Sequence, residues 1–235
     1  IDPTMVDPTT GEPDEAATLA PIAAEVTWYP AVESRGEGIF LQVSATMIGA
    51  WLSRPAVTAR VSALSSAFEK WRADRKMYWG FPGGPYVLLH TLSHLLMQSL
   101  AMRCGYPSSS IRERIFCMPD DGSFGILIYT GSSDAEGTLG GLVAAGRRIA
   151  RHVRRALEYG ALCSSDPVCA YHRPVEHDHQ PLHGAACHGC LLVAETSCEQ
   201  RNEFLDRALV SRTVSVHDER DDPSFWSFIN PDAAA

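Results

Sequence analysis

The stretch YVLLHTLSHLLMQSLAMR, residues 86–103, decides the architecture. Leu88, Leu89, Leu92, Leu95, Leu96, Leu100 and Met102 recur at helical spacing and wrap most of the circumference. A helix apolar nearly all round is a central, buried one. Gly105 closes it as the residue just past the last turn, and YWGFPGGP (78–85) isolates it from what precedes. Everything else is read as packing around this rod. Residues 56–74 place Val57, Val61, Leu64, Phe68 and Trp71 on one face of a second helix. A short helix at 45–53 ends near Arg54-Pro55.

The β component is small. VTWYP and GIFLQV, within 26–43, read as short strands around a glycine-bearing spacer at 33–38. FGILIYT (124–130) reads as a buried strand. Ser108–Ser110 before Ile111-Arg112-Glu113-Arg114 reads as a capped short helix. A long helix is expected over 139–160 and a final one over 199–212. The expected class is therefore α+β, mainly helical, with a small β-sheet. Residues 1–25, rich in Pro, Thr, Asp, Glu and Ala, read as a disordered lead. Its first four residues read as non-native, so the chain is expected to be a fragment of something longer. Residues 26–212 form the domain, and 213–235 an acidic, loosely ordered tail.

Composition narrows the function. The chain has 235 residues, 45% hydrophobic and 20% charged, with a formal charge of −8. Those are globular proportions, and the acidic balance argues against nucleic-acid binding by bulk charge. No run of about 20 apolar residues offers a membrane span. No signal peptide is recognisable, so a cytoplasmic location is expected. The basic exception is the face of the 139–160 helix: Arg147, Arg148, Arg151, Arg154 and Arg155. It is either a solvated face or a contact for nucleic-acid backbone or an acidic partner.

Seven cysteines are present. Cys104 and Cys117 sit in apolar surroundings, and the other five fall between 163 and 198. In a chain without a secretory signal such clustering points to metal rather than disulfides. Cys187-His-Gly-Cys190 is a knuckle that lets two thiolates face one tetrahedral ion, with Gly189 relieving the turn. Cys198 is expected to join them. The fourth place is open: Cys169 is the first choice and Cys163 the alternative, while His172, His183 and His188 are further options. One structural zinc ion held by Cys169, Cys187, Cys190 and Cys198 is the expectation, because four thiolates leave no open coordination position. A redox pair at Cys187/Cys190 lacks the βαβ setting such motifs occupy.

Other constellations are weaker. His90 and His94 stand one helical turn apart. A zinc-protease helix would have Glu where Thr91 stands. The loop 131–141 opens a helix but has neither a P-loop ending nor GxGxxG, and its Asp134 and Glu136 would repel phosphate. No Gly-x-Ser-x-Gly nucleophile elbow occurs. A metal-dependent hydrolase or nuclease using His90, His94, Asp134 and Glu136 is the alternative function.

Several stretches together resemble the C-terminal domain of the DrmB family, a component of the DISARM antiphage defence system: HTLSHLLMQSLAMRCGYPSSSIRERIF (90–116), GILIYTGSSDAEGTLGGLV (125–143), CSSDPVC (163–169) and GAACHGCLLVAETSCEQRNEFLDRALV (184–210). PAVESRGEGIFLQV (30–43) resembles the stretch upstream. That domain is similar to the zinc-binding domain of MrfA-like DNA-repair helicases. The resemblance implies zinc held by four cysteines drawn from 163, 169, 187, 190 and 198. It also implies a non-catalytic accessory role beside a DrmA-like helicase that engages DNA. The wide Cys169–Cys187 gap, filled by His172, His177, His179 and His183, departs from many members.

Overall fold

A computed structural model describes residues 36–75, 79–130, 141–174 and 182–230. These residues fall within one compact unit. The upstream strand VTWYP, the loop residues Asp134 and Glu136, and His177 and His179 lie outside them.

Three strands form an antiparallel sheet in the order β1-β3-β2: β1 is Gly38–Val43, β2 is Ile111–Met118 and β3 is Ser123–Thr130. The central place of β3 explains why FGILIYT is apolar on both faces: Ile126 and Ile128 turn into the core while its edges are paired on both sides. The expected helix over 108–114 is a single 3-10 turn, Ser108–Ser110, followed by β2. Alternation explains the outcome. Ile111, Glu113 and Ile115 are buried, while Arg112, Arg114 and Phe116 are exposed, which is the period of a half-buried strand.

The helices are α1 (Ala45–Leu52), α2 (Pro55–Asp74), α3 (Gly84–Cys104), α4 (Gly141–Gly146), α5 (Ile149–Ala161) and α6 (Phe225–Ile229). Helix α3 is the central rod. It packs on β2, β3 and α5, and Leu88, Leu89, Leu95, Leu96 and Leu100 are excluded from water. It ends at Gly105 with φ 74°, the left-handed cap its position implied. Pro55 starts α2, where its fixed φ suits the first turn and its missing N–H costs nothing. The expected 139–160 helix is broken at Arg147–Arg148, giving α4 and α5. The Glu37 carboxylate accepts the Val143 N–H (3.1 Å) and the Tyr106 hydroxyl (2.5 Å). The first turn of α4, which has no acid of its own, thus receives its carboxylate from Glu37.

Beyond α5 the chain is irregular and held by side chains. The expected helix over 199–212 is absent: Arg201, Asn202 and Phe204 adopt positive φ (51°, 64° and 59°), and only Arg207–Leu209 make a 3-10 turn. Within the segment expected to be loose, the described residues Asp222, Pro223 and Ser224 are buried. Trp51 donates its indole N–H to the Pro223 carbonyl (2.9 Å), stacks edge-on with Phe225, and is fully buried. The chain is thus α+β and mainly helical, with a small antiparallel sheet and a cysteine-rich lobe.

Candidate metal centre

The lobe after α5 brings four thiols to one point. Cys163 and Cys169 come from the loop leaving α5, and Cys187 and Cys190 from the knuckle. Their sulfurs all lie within 4.8 Å of one another. Cys163–Cys187 is 3.4 Å, Cys169–Cys190 3.7 Å and Cys187–Cys190 3.8 Å. A disulfide needs about 2.05 Å between sulfurs, so these are free thiols. Four sulfurs at about 2.3 Å from a tetrahedral zinc ion stand about 3.8 Å apart. These three edges match those of a zinc tetrahedron, one of them slightly contracted.

Local sequence explains how each thiol is held. Gly189 and Ser165 direct backbone N–H groups at the sulfurs of Cys187 and Cys163, both at 3.3 Å. Such donors favour the thiolate, the form that binds metal. Position 189 has little room for a side chain: a Cβ there would lie 2.6 Å from Ser164 Oγ and 3.4–3.5 Å from the sulfurs of Cys163 and Cys187. The Asp166 carboxylate accepts N–H bonds from Cys163 (2.9 Å) and Ala170 (3.1 Å), which folds the CSSDPVC loop around itself. Arg207, fully buried, pairs with Asp166 and donates to the carbonyls of Gly160 and Ala161, each 3.1 Å away. The hydrogen bond from Cys190 draws the Cys169 thiol down to about 6; burial opposes this and the nearby Arg207 guanidinium assists. Cys190 moves the other way, through that same bond to Cys169 and through burial. Burial also raises Cys163.

Cys198 is not in this group. Sequence proximity assigned it to the knuckle, but the chain between Cys190 and Cys198 turns away and carries it to α3. There it meets His90, His94 and Glu113, whose ligand-type atoms again lie within 4.8 Å of one another. The alternative left open for the fourth place, Cys163, stands with Cys169, Cys187 and Cys190 instead. Of the histidine options, His188 is exposed, while His183 has a buried Nδ1 without a partner. Burial first, then the charge of His172, lowers the His183 imidazole to about 4.

Around Cys198 the geometry is tight. His90 Nε2 lies 3.1 Å from Cys198 Sγ and 2.9 Å from Glu113 Oε1, and His94 Nε2 is 3.2 Å from the same oxygen. Burial resists charge on His90, but Glu113 overrides it and lifts the imidazole to about 10. Glu113, despite burial, is held down at about 2, chiefly by His90. The sequence reading missed Glu113 because it treated 111–114 as helical; the alternation of IRERIF, read as a strand, puts this acid on the core face.

The arginines gather elsewhere. Arg147, Arg148, Arg151 and Arg155 line an open cleft of about 390 Å³ between α4, α5 and the end of α3, joined there by Arg103. Arg154 is exposed but is not among the residues lining this cleft. None of these six arginines forms an ion pair among the described residues. No described helix is long and apolar enough to cross a membrane.

Comparison with known proteins agrees with the lobe's chemistry. Residues 92–191 match the family described as MrfA Zn-binding domain, a stretch that contains all four clustered cysteines. The DISARM protein DrmB of Bacillus paralicheniformis (strain ATCC 9945a / NCIMB 11709 / CD-2) is 40% identical over 214 residues, covering 88% of this chain. The chain spans 37% of that relative's length. Over most of its length the chain is thus similar to DISARM protein DrmB, and its central stretch matches the MrfA Zn-binding domain.

Proposed function

We propose that this chain is a zinc-binding accessory module of a DISARM-type antiphage defence protein, acting through a DrmA-like helicase partner and supporting its contact with DNA. The observation that carries the reading is the convergence of the Cys163, Cys169, Cys187 and Cys190 sulfurs within 4.8 Å of one another, inside the segment that matches the MrfA Zn-binding domain. In this reading those four thiolates hold one structural zinc ion. A closed sulfur shell has no open position for a substrate, so the ion clamps the lobe rather than performing chemistry. Cys163 takes the place that the sequence reading gave to Cys198. The arginine cleft supplies the surface for nucleic-acid backbone or an acidic partner.

The alternative reading, a hydrolase built on His90 and His94, loses support because both imidazoles are fully excluded from water. Asp134 and Glu136 lie outside the described residues.

The test has two arms. Cys187→Ser should lower the zinc content by about one ion per chain and destabilise the fold, measured by elemental analysis and thermal melting. Unchanged zinc would overturn the ligand set. Co-purification with the neighbouring helicase, followed by an ATPase assay with and without DNA, tests the accessory role. No association and no change in ATPase rate would remove it.

A further inference from the structure

The structure holds a second convergence of ligand-type atoms. We propose that His90, His94, Glu113 and Cys198 bind a second divalent ion of the zinc class, in a closed site that fastens α3, β2 and the 198–204 loop together.

The donor set comes first. Two imidazoles one turn apart on α3, one carboxylate on the facing strand and one thiol from a distant loop turn their lone-pair atoms to one point. Nitrogen and sulfur donors reject calcium and magnesium and suit zinc or its neighbours. A carboxylate and a thiolate carry two negative charges, which a divalent cation cancels. All four residues are less than a tenth exposed, and burying such charge without a partner is costly.

The hydrogen bonds around the point leave the inward atoms as acceptors. His94 Nδ1 faces the Leu191 carbonyl at 2.9 Å. A carbonyl only accepts, so Nδ1 carries the proton. In the neutral ring Nε2 is then a lone pair, and it faces a carboxylate oxygen at 3.2 Å. Two acceptors at that distance need a cation between them, a proton or a metal. Cys198 Sγ accepts backbone N–H bonds from Gln200 (3.3 Å) and Asn202 (3.1 Å), the pattern also seen at the sulfurs of the four-cysteine cluster. Asn202 makes its bond from the left-handed region (φ 64°), which Asn adopts more readily than other residues with a Cβ. Its side chain is pinned by two bonds to Val193, 2.9 and 3.0 Å long. The Ser93 hydroxyl bonds the other oxygen of Glu113. Every ligand but His90 thus has an outer partner that orients it, as metal ligands do. Tetrahedral zinc sets about 3.4 Å between nitrogen and oxygen ligands and about 3.6 Å between nitrogen and sulfur. The observed 2.9–3.2 Å and 3.1 Å are a few tenths of an ångström shorter. One edge of the four-cysteine cluster is contracted to a similar degree.

Metal counting and X-ray absorption on the purified chain test this, in reducing buffer without chelator. Two sites give about two zinc ions per chain, and an averaged shell of about 2.5 sulfur and 1.5 nitrogen or oxygen neighbours per ion. A four-cysteine site alone gives about one ion with about four sulfurs. That result would remove the second site and leave the first intact. Conversely, a mixed shell that survives Cys187→Ser supports the second site even if the first reading fails. His94→Gln and Cys198→Ser should each lower the count by about one ion and shift the remaining shell towards pure sulfur. Unchanged counts in both folded variants would overturn the proposal. If those variants do not fold, the wild-type count and shell decide it.

Discussion

Asp206 shows how much one buried carboxylate organises. It accepts a forked pair from Arg60 (2.5 and 2.8 Å) and the N–H groups of Ala185 and Ala208 (3.0 and 3.1 Å), and it is fully excluded from water. A Cβ on Gly184 would collide with that carboxylate. The partners hold it from every side, so it cannot retreat. Gly184→Ala should therefore destabilise the fold by about 1–3 kcal/mol, the usual range for overpacking. At exposed Gly49, inside α1, a new Cβ meets nothing within 4 Å, and Gly49→Ala should stabilise by about 0.5–1 kcal/mol. Urea unfolding of the two variants reads the contrast, and equal effects would refute it. His183 gives a pH dependence. Its folded value, about 4, lies below the ordinary 6.5. The neutral form is thus favoured by folding: that stability is fully present above pH 6.5 and drains away as pH falls towards 4. His183→Gln should flatten the loss of stability in this window relative to wild type, and parallel curves would contradict it.

Elements differ in how far the sequence announced them. Helices α1, α2 and α3 were legible because their apolar positions repeat at helical spacing and Pro55 and Gly105 mark ends. Strand β3 was legible from its composition. Strand β2 was not, because two arginines and a glutamate look helical until the alternation around them is counted. The 199–212 segment has helical apolar spacing but no α-helix: from the left-handed region Asn202 gives its N–H to the Cys198 sulfur and Phe204 gives its own to the Leu182 carbonyl. That is why the cysteines were found in the sequence but Cys198 was put with the wrong partners: spacing along the chain says nothing of which way a loop turns. Arg207 ties this irregular region to the end of α5 by way of Gly160, Ala161 and Asp166. Arg207→Met would leave the partly buried Asp166 without its cation and would remove the Arg207 donors from two carbonyls. The expected cost is about 3–5 kcal/mol, together with weaker zinc retention in a chelator competition. Zinc retention like wild type would separate the arginine from the cysteine lobe.

At the scale of the whole molecule, charge is unevenly spread. The formal total is −8, yet five arginines meet in the cleft beside α5. If that cleft meets nucleic-acid backbone, removing Arg147, Arg151 and Arg155 together should weaken binding across sequences. Each lost phosphate contact should reduce the salt slope by about one. A slope equal to wild type would assign the cleft to something other than nucleic acid. The order of the clustered residues along the chain has its own consequence. Cys163 and Cys187 are 24 positions apart, whereas His90 and Cys198 are 108 apart, and the smaller loop lies wholly within the larger. Closing the larger loop first costs about 1.3 kcal/mol more in chain entropy than closing the smaller. The short ring is therefore favoured to close early, and once closed it shortens the slack that the outer ring must gather. If both clusters close around metal, assembly runs from the inside outward, with Cys198, the last of these residues to leave the ribosome, drawing the final knot around a lobe already tied.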